Sequence, residues 1–222
     1  MNKKILIPIT LVVLVVLVIL AVFITKKITN KNENTQNAQN IQNTNQIEEV
    51  EEKSMYAQGK HHAQIVIKDY GTISLELDAD VAPITVENFA NLVNEGFYDG
   101  LTFHRIIDGF MIQGGDPLGT GMGGSDEEIK GEFLQNGVKN SISHKRGVIS
   151  MARAQSYNSA SSQFFIVHQD STFLDGAYAA FGYVTEGIEI VDKICEDTKV
   201  EDDNGTVLKE NQPIIEKITM ID

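Results

Sequence analysis

The chain carries one cysteine, Cys195, in 222 residues, so no internal disulfide can brace it and a hydrophobic core must do so. Cys195 falls within an apolar helical pattern and reads as a small buried hydrophobe. Basic residues are scarce. Net charge is −13; residues 1–60 hold seven Lys against five Asp/Glu, leaving eleven Lys/Arg against 26 Asp/Glu in 61–222. So acidic a region excludes a nucleic-acid surface, which needs positive charge opposite phosphate. No metal-ligand set is evident: His61-His62 lacks a third ligand at zinc-like spacing, and His144 and His168 stand alone. Nor does Ser161-Ser162 have a base beside it in sequence to make a nucleophile. Asp126-Glu127-Glu128 reads as an exposed acidic loop, and the acidic surface as solvation. No internal repeat is visible.

Charge is missing altogether from Ile5 to Ile24, twenty residues dominated by Leu, Val and Ile. A helix of that length spans about 30 Å, the hydrocarbon thickness of a bilayer. Ala21-Val22-Phe23-Ile24-Thr25 offers no small-residue cleavage site and no cysteine follows, so the run reads as an uncleaved anchor within residues 1–27. Lysines flank both ends nearly equally; the short N-terminal tail favours a domain outside the membrane. Apolar content then falls away. Residues 28–60, rich in Asn and Gln, read as a flexible tether reaching roughly 30 Å. This composition suggests a bacterial protein.

Residues 61–222 read as one domain. Gln64–Tyr70 and Thr72–Leu77, separated by Gly71, predict an antiparallel hairpin. Pro83 opens a helix with Val86, Phe89, Ala90 and Val93 on one face, and Gly96 closes it. Strands are expected near 103–107, 110–114, 147–152, 163–168 and 214–221. A second helix, 186–196, takes Thr185 as N-cap, buries Ile190, Val191, Ile194 and Cys195, and pairs Glu189 with Lys193. Many strands with two isolated helices imply a mainly β, antiparallel barrel.

The densest chemistry lies in Phe103-His104-Arg105-Ile106-Ile107-Asp108-Gly109-Phe110-Met111-Ile112-Gln113-Gly114-Gly115-Asp116. Strict alternation puts Arg105 on the face of Phe103 and Ile107. A guanidinium on an apolar face is costly without partners. Alone it would read as a surface or salt-bridged arginine; Gln113 shifts the reading, because its amide oxygen can hold the cation. Phe110 and Met111 supply walls. Such a site suits gripping a small apolar ring while a fixed cation points at an amide. Gly119-Thr120-Gly121-Met122-Gly123-Gly124 satisfies G-x-G-x-x-G literally but sits in no strand–helix unit, so a loop bordering a groove is the better reading.

That stretch, with Ser161-Ser162-Gln163-Phe164-Phe165-Ile166, resembles the signature of the cyclophilin family of peptidyl-prolyl isomerases, and the resemblance covers 61–222. It implies a closed eight-stranded antiparallel barrel capped by two helices. The implied activity is rotation about X-Pro bonds in proline-containing polypeptides, with no cofactor and no metal. The implied catalytic residue is Arg105, with Phe110, Met111, Gln113, Phe165 and Leu174 forming the proline pocket and Gln163 beside it. Gly147–Ala154 resembles the family strand that pairs with bound peptide, so Ala152, Arg153 and Ala154 line the groove, Arg153 through its backbone with its side chain toward solvent. His104 supports by packing or hydrogen bonding. Two residues depart from the family pattern. Phe173 replaces a tryptophan common in the family, removing an indole N–H and implying reduced affinity for cyclosporin-type ligands. Tyr178 replaces a histidine and still lines the pocket. A proline-binding adaptor or holdase using the same groove without turnover is the rival reading.

Overall fold

The computed structural model describes residues 54–222; the expected anchor at 5–24 and most of the tether lie outside them. Among the described residues no helix is long and apolar enough to cross a membrane. Alternating burial builds the first hairpin: Lys60–Ile67 (β1) pairs antiparallel with Gly71–Asp78 (β2), with Ile65 opposite Ile73. Helix α1 (Pro83–Asn94) follows. Strands β3 (Phe103–Ile107) and β4 (Met111–Gly114) form a second hairpin. Then come β5 (Val148–Met151), β6 (Phe164–Val167), β7 (Ala180–Glu186), helix α2 (Ile188–Asp197) and β8 (Ile215–Met220).

The eight strands form one antiparallel sheet in the order β3-β4-β6-β5-β7-β2-β1-β8. The expected barrel is not closed by a ladder. Where β3 and β8 approach, pairing is limited to the bridge Thr102–Ile214 and its flanking bonds: Phe103 N–H donates to Pro213 O (3.0 Å), Ile215 N–H to Leu101 O (2.8 Å) and Gly100 N–H to Ile215 O (2.8 Å). Two features stop a ladder there. Pro213 has no N–H to donate. The outer edge of β3 is taken by residues 205–207: Ile106 N–H donates to Gly205 O (2.8 Å), and Val207 N–H to His104 O (3.1 Å).

Strands β3 to β7 divide their side chains between two apolar clusters, whereas β1, β2 and β8 feed only the larger one. The larger, inside the curve of the sheet, holds Ile65, Phe89, Phe103, Ile106, Ile112, Phe164 and Phe181, closed over by α1 and α2. The smaller lies on the outer face and includes Met111, Val148, Phe165, Val167 and Leu174. β6 shows the division, with Phe164 and Ile166 inward and Phe165 and Val167 outward.

The helices bury the expected faces, but their ends differ in detail. Gly96, with φ 71°, ends α1 in a left-handed turn, and Phe97 N–H reaches back to Leu92 O at 2.9 Å. α2 starts after Gly187 (φ 85°); Thr185 is still in β7, where its hydroxyl donates to Ser74 O. A Cβ at Gly187 would lie 2.6 Å from Thr72 O, so glycine is required where the helix starts against β2. Lys193 lies over the Tyr70 ring at 5.6 Å, and no Glu189–Lys193 ion pair forms. β7 escaped the sequence analysis because Gly182 breaks its pattern. Glycine is needed there: a Cβ would lie 2.4 Å from Glu76 O on the neighbouring strand.

The N-terminus of α1 is capped from a distance. Ala82 at the cap position has no side-chain acceptor. Buried Glu132 instead accepts the N–H of Ile84 (3.1 Å) and Thr85 (2.8 Å) and the Thr85 hydroxyl (2.7 Å). Its negative charge also faces the positive end of the helix dipole. Glu132→Ala would strip three donors of their acceptor. We expect a loss of about 2 kcal/mol and a fall in thermal midpoint of roughly 4–8 °C, measurable by circular dichroism; an unchanged midpoint would mean water replaces the carboxylate at no cost.

Candidate active site

Four residues from four strands form one row across the outer face. Arg105 on β3 is opposite Gln113 on β4, Gln113 is opposite Phe165 on β6, and Phe165 is opposite Ser150 on β5. Arg105 reaches this face through an irregularity. The β3–β4 register shifts between Phe103 and Arg105, so His104 is an extra residue, a bulge. Strict alternation therefore fails: Phe103 turns into the inner core, whereas Arg105 and Ile107 face outward.

The guanidinium is held on two sides. Its Nε–H donates to Asn204 O (2.8 Å), one Nη–H to Asn204 Oδ1 (3.2 Å) and another to Gln113 Oε1 (3.2 Å). Three of its five N–H bonds are thus occupied among the described residues, leaving two. Burial pulls the Arg105 pKa down, with Tyr178 and Asp202 opposing; an arginine stays charged at any physiological pH. The amide chain continues outward: Gln113 Nε2 donates to Gln163 Oε1 (2.8 Å), and Gln163 Nε2 to the carbonyls of Gly123 (2.7 Å) and Gly121 (3.1 Å). Each amide both donates and accepts, which fixes its orientation and polarises the chain.

Beside the guanidinium opens a cavity of about 320 Å³, lined by Arg105, Phe110, Met111, Gln113, Ala152, Arg153, Phe165, Phe173, Leu174 and Tyr178. The Phe110 and Phe173 rings lie 5.5 Å apart at its rim, and Phe173 is 74% exposed. Ala154 and Gln163 border a neighbouring cavity of about 560 Å³ with residues 121–126; Gln113, Ala152 and Arg153 border both. The expected residues therefore gather in one groove with two chambers. His104 lines neither. It is buried with both ring nitrogens unpartnered, so it supports by packing and not by hydrogen bonding. Burial lowers its pKa and so favours the neutral ring, with Arg105 adding to this and Asp116 partly opposing it.

Arg153 corrects a second expectation. Its side chain does not point to solvent: the guanidinium carbon lies 4.7, 5.1 and 5.2 Å from the ring centres of Tyr178, Tyr157 and Phe133. It also donates to the carbonyls of Ala177 and Ala154. Cation–π attraction holds it down and pins Tyr178 in the cavity wall. β5 ends at Met151, and among the described residues the Arg153 backbone N–H and C=O have no hydrogen-bond partner, so both can pair with an extended chain in the groove.

The glycine-rich loop is built around a carboxylate. Asp116 accepts the N–H groups of Leu118 (2.8 Å), Thr120 (2.9 Å) and Gly121 (2.6 Å). Burial alone would raise the Asp116 pKa, but these hydrogen bonds outweigh it and hold it low. The N–H groups that would cradle a phosphate are spent on the loop's own anion.

Sequence reasoning missed Asn204, which anchors Arg105 from 99 positions away. Asp202-Asp203-Asn204-Gly205 carries a turn signal, but nothing local says where the turn docks. It also missed a hydrogen-bonded series, Ser150 to His144 to Asp175, in the order of a nucleophile, base and orienting acid: Ser150 Oγ lies 3.0 Å from His144 Nε2, and His144 Nδ1 lies 2.9 Å from Asp175 Oδ1. Ser150 is fully buried, so no substrate reaches it and the series does not form a hydrolytic site.

Comparison with known proteins converges on one family. The family model described as cyclophilin type peptidyl-prolyl cis-trans isomerase matches residues 62–220. Peptidyl-prolyl cis-trans isomerase B of Bacillus subtilis is 46% identical over 145 residues, 65% of this chain and 92% of that protein. The peptidyl-prolyl cis-trans isomerase of Helicobacter pylori is 47% identical over 133 residues, 59% of this chain and 78% of the relative. Among solved structures, a cyclophilin type isomerase of Cryptosporidium parvum, crystallised in the presence of the dipeptide Ala-Pro, has a TM-score of 0.64 and 31% identity, covering 72% of this chain and 99% of that one.

Proposed function

The chain belongs to the cyclophilin-type peptidyl-prolyl cis-trans isomerases, and from that premise we propose that Arg105 is its catalytic residue and the 320 Å³ cavity its proline pocket. The chain is an enzyme that accelerates rotation about X-Pro bonds. One observation carries the residue assignment: a guanidinium braced on both sides, with N–H bonds to spare, at the edge of an apolar cavity.

The barrier to be lowered is about 18–20 kcal/mol, because the amide nitrogen's lone pair is delocalised into the carbonyl. Twisting the bond breaks that delocalisation. The nitrogen pyramidalises and its lone pair becomes a better acceptor. A donor that bonds it then favours the twisted state over either planar one, the condition for acceleration. Each 1.4 kcal/mol so gained is worth about tenfold. Phe110, Met111, Phe165 and Leu174 hold the ring dry, and the Arg153 backbone holds the flanking chain. No proton moves and no bond is made or broken. Prolyl exchange on an Ala-Pro peptide tests this; a folded chain that binds the peptide without exchanging it would move the reading to a proline-binding module.

We further propose that residues 5–24 anchor the chain in a membrane and that 28–60 tether the domain on its outer side, where exported chains emerge with unisomerised prolines. Degradation of the domain by protease added to cells stripped of any wall or outer membrane supports this placement; survival beside a degraded control on the outer surface overturns it. Cyclosporin-type ligands fit the same cavity with reduced affinity, since Phe173 has no N–H. Phe173→Trp should tighten such a ligand about tenfold, one neutral hydrogen bond's worth, with prolyl exchange within about threefold of the parent. Unchanged affinity by calorimetry would show that the indole N–H is not what is missing.

A further inference from the structure

We infer that His144 is a positioning residue for the proline pocket, setting the wall opposite Arg105 without touching substrate. The inference rests on the reading of the cavity given above. His144 is 1% exposed, and a buried imidazole needs a reason to be there. Its ring stacks on Phe165, the pocket floor, with centroids 6.0 Å apart and planes 15° from parallel. Its Nδ1 meets Asp175 Oδ1 at 2.9 Å, and its backbone N–H donates to the same oxygen at 2.8 Å. Its carbonyl accepts from Ser171 N–H at 2.7 Å. Ser171 and Asp175 bracket the short turn Thr172–Leu174 that carries Phe173 and Leu174 into the cavity. On its other side Nε2 meets the hydroxyl of Ser150, the last member of the row that begins at Arg105.

One side chain thus joins β5, the floor ring and the turn supplying the outer wall. Its protonation follows from its partners. The Asp175 carboxylate only accepts, so Nδ1 carries the hydrogen; neutral Nε2 then accepts from the Ser150 hydroxyl. Burial disfavours the imidazolium, which keeps this arrangement in place, although Asp175 pulls the other way. Ser143 donates to the second Asp175 oxygen at 2.6 Å, so the carboxylate is fixed as well. Arg105 has its own brace in Asn204 and Gln113 and shares no hydrogen bond with His144. Loss of His144 should therefore loosen the grip on the ring and spare the rotation step.

The test separates those two quantities. An Ala-Pro peptide is titrated into the full-length chain by NMR, giving Kd, and exchange is measured at saturation. His144→Asn keeps a donor for Asp175 but loses the stack and the acceptor for Ser150. It should weaken binding about five- to tenfold and leave exchange at saturation within about twofold. Ser150→Ala should weaken binding about threefold, and the double variant should be no worse than His144→Asn alone, because both changes break one bond. An unchanged Kd in folded His144→Asn, additive effects, or a fall confined to the exchange rate would overturn the inference. If His144→Asn does not fold, Ser150→Ala decides alone, and an unchanged Kd sinks it. A parent chain whose titration shifts avoid Phe165, Leu174 and Arg105 would instead show that the cavity reading had failed.

Discussion

Arg105→Ala is expected to lower prolyl exchange by on the order of a hundredfold or more while leaving a folded chain that still binds an Ala-Pro peptide. The magnitude follows from the role. Removing one well-placed donor to charge or lone-pair density that develops only in the transition state costs about 10²–10³ in rate elsewhere. The fold should tolerate the change. Arg105 lies on the outer face, and its partners are a loop carbonyl, a loop amide and Gln113, none of them in the inner core. Arg105→Lys is the sharper variant. It keeps the charge but cannot span Asn204 and Gln113 with a planar fork, so most of the loss should remain. Exchange by Arg105→Ala within about threefold of the parent would remove Arg105 from the mechanism.

The second large effect separates two neighbours. Phe164 is fully buried and edge-packed against Phe89, Tyr98 and Phe103, with centroids 5.6–6.1 Å apart. Truncating it leaves a cavity that three rings border, so Phe164→Ala should cost about 3–5 kcal/mol and lower the thermal midpoint by roughly 6–20 °C. Below that midpoint, peptide affinity should hold. Phe165, one position on, faces the other way, onto the cavity, His144 and Tyr178. Phe165→Ala should weaken peptide binding at least tenfold with a smaller loss of stability, because the outer cluster is smaller and the ring lines a cavity. Calorimetry of unfolding and an NMR titration on both variants would check the crossing; parallel effects in the two assays would show that the faces are not independent.

Legibility in the sequence followed distance along the chain. Arg105, Phe110, Met111 and Gln113 sit on one hairpin, so a short window places them together, and the structure brings them to one cavity. Alternation held wherever strands were regular, as in β1 and β2. It misplaced Phe103 because a bulge inserts one residue and leaves no local mark; His104 reads like any strand residue until its partner's register is known. Contacts between distant segments were out of reach for the same reason. Glu132 caps a helix 47 positions away, and Asp175 meets His144 across 31. The hydrophobic pattern decides which face is buried, whereas polar partners are settled by loop paths the pattern does not encode. The Arg153 side chain was misjudged because three rings from separate segments converge on it only in the fold.

Asn204's share of the brace on Arg105 is half main chain. Asn204 grips the guanidinium through its own carbonyl as well as its side chain, and the carbonyl bond, at 2.8 Å, is the shorter one. A residue-by-residue truncation survey would therefore undercount this loop: Asn204→Ala removes the longer contact and leaves the shorter. What can drift here over evolutionary time is the side chain at 204; what cannot is the path of the chain. That path is set by Gly205: its φ is 78°, and a Cβ there would lie 2.3 Å from Ile106 O, so no other residue fits without strain. The selective pressure that preserves the arginine's aim should thus fall on a glycine that makes no hydrogen bond to its side chain.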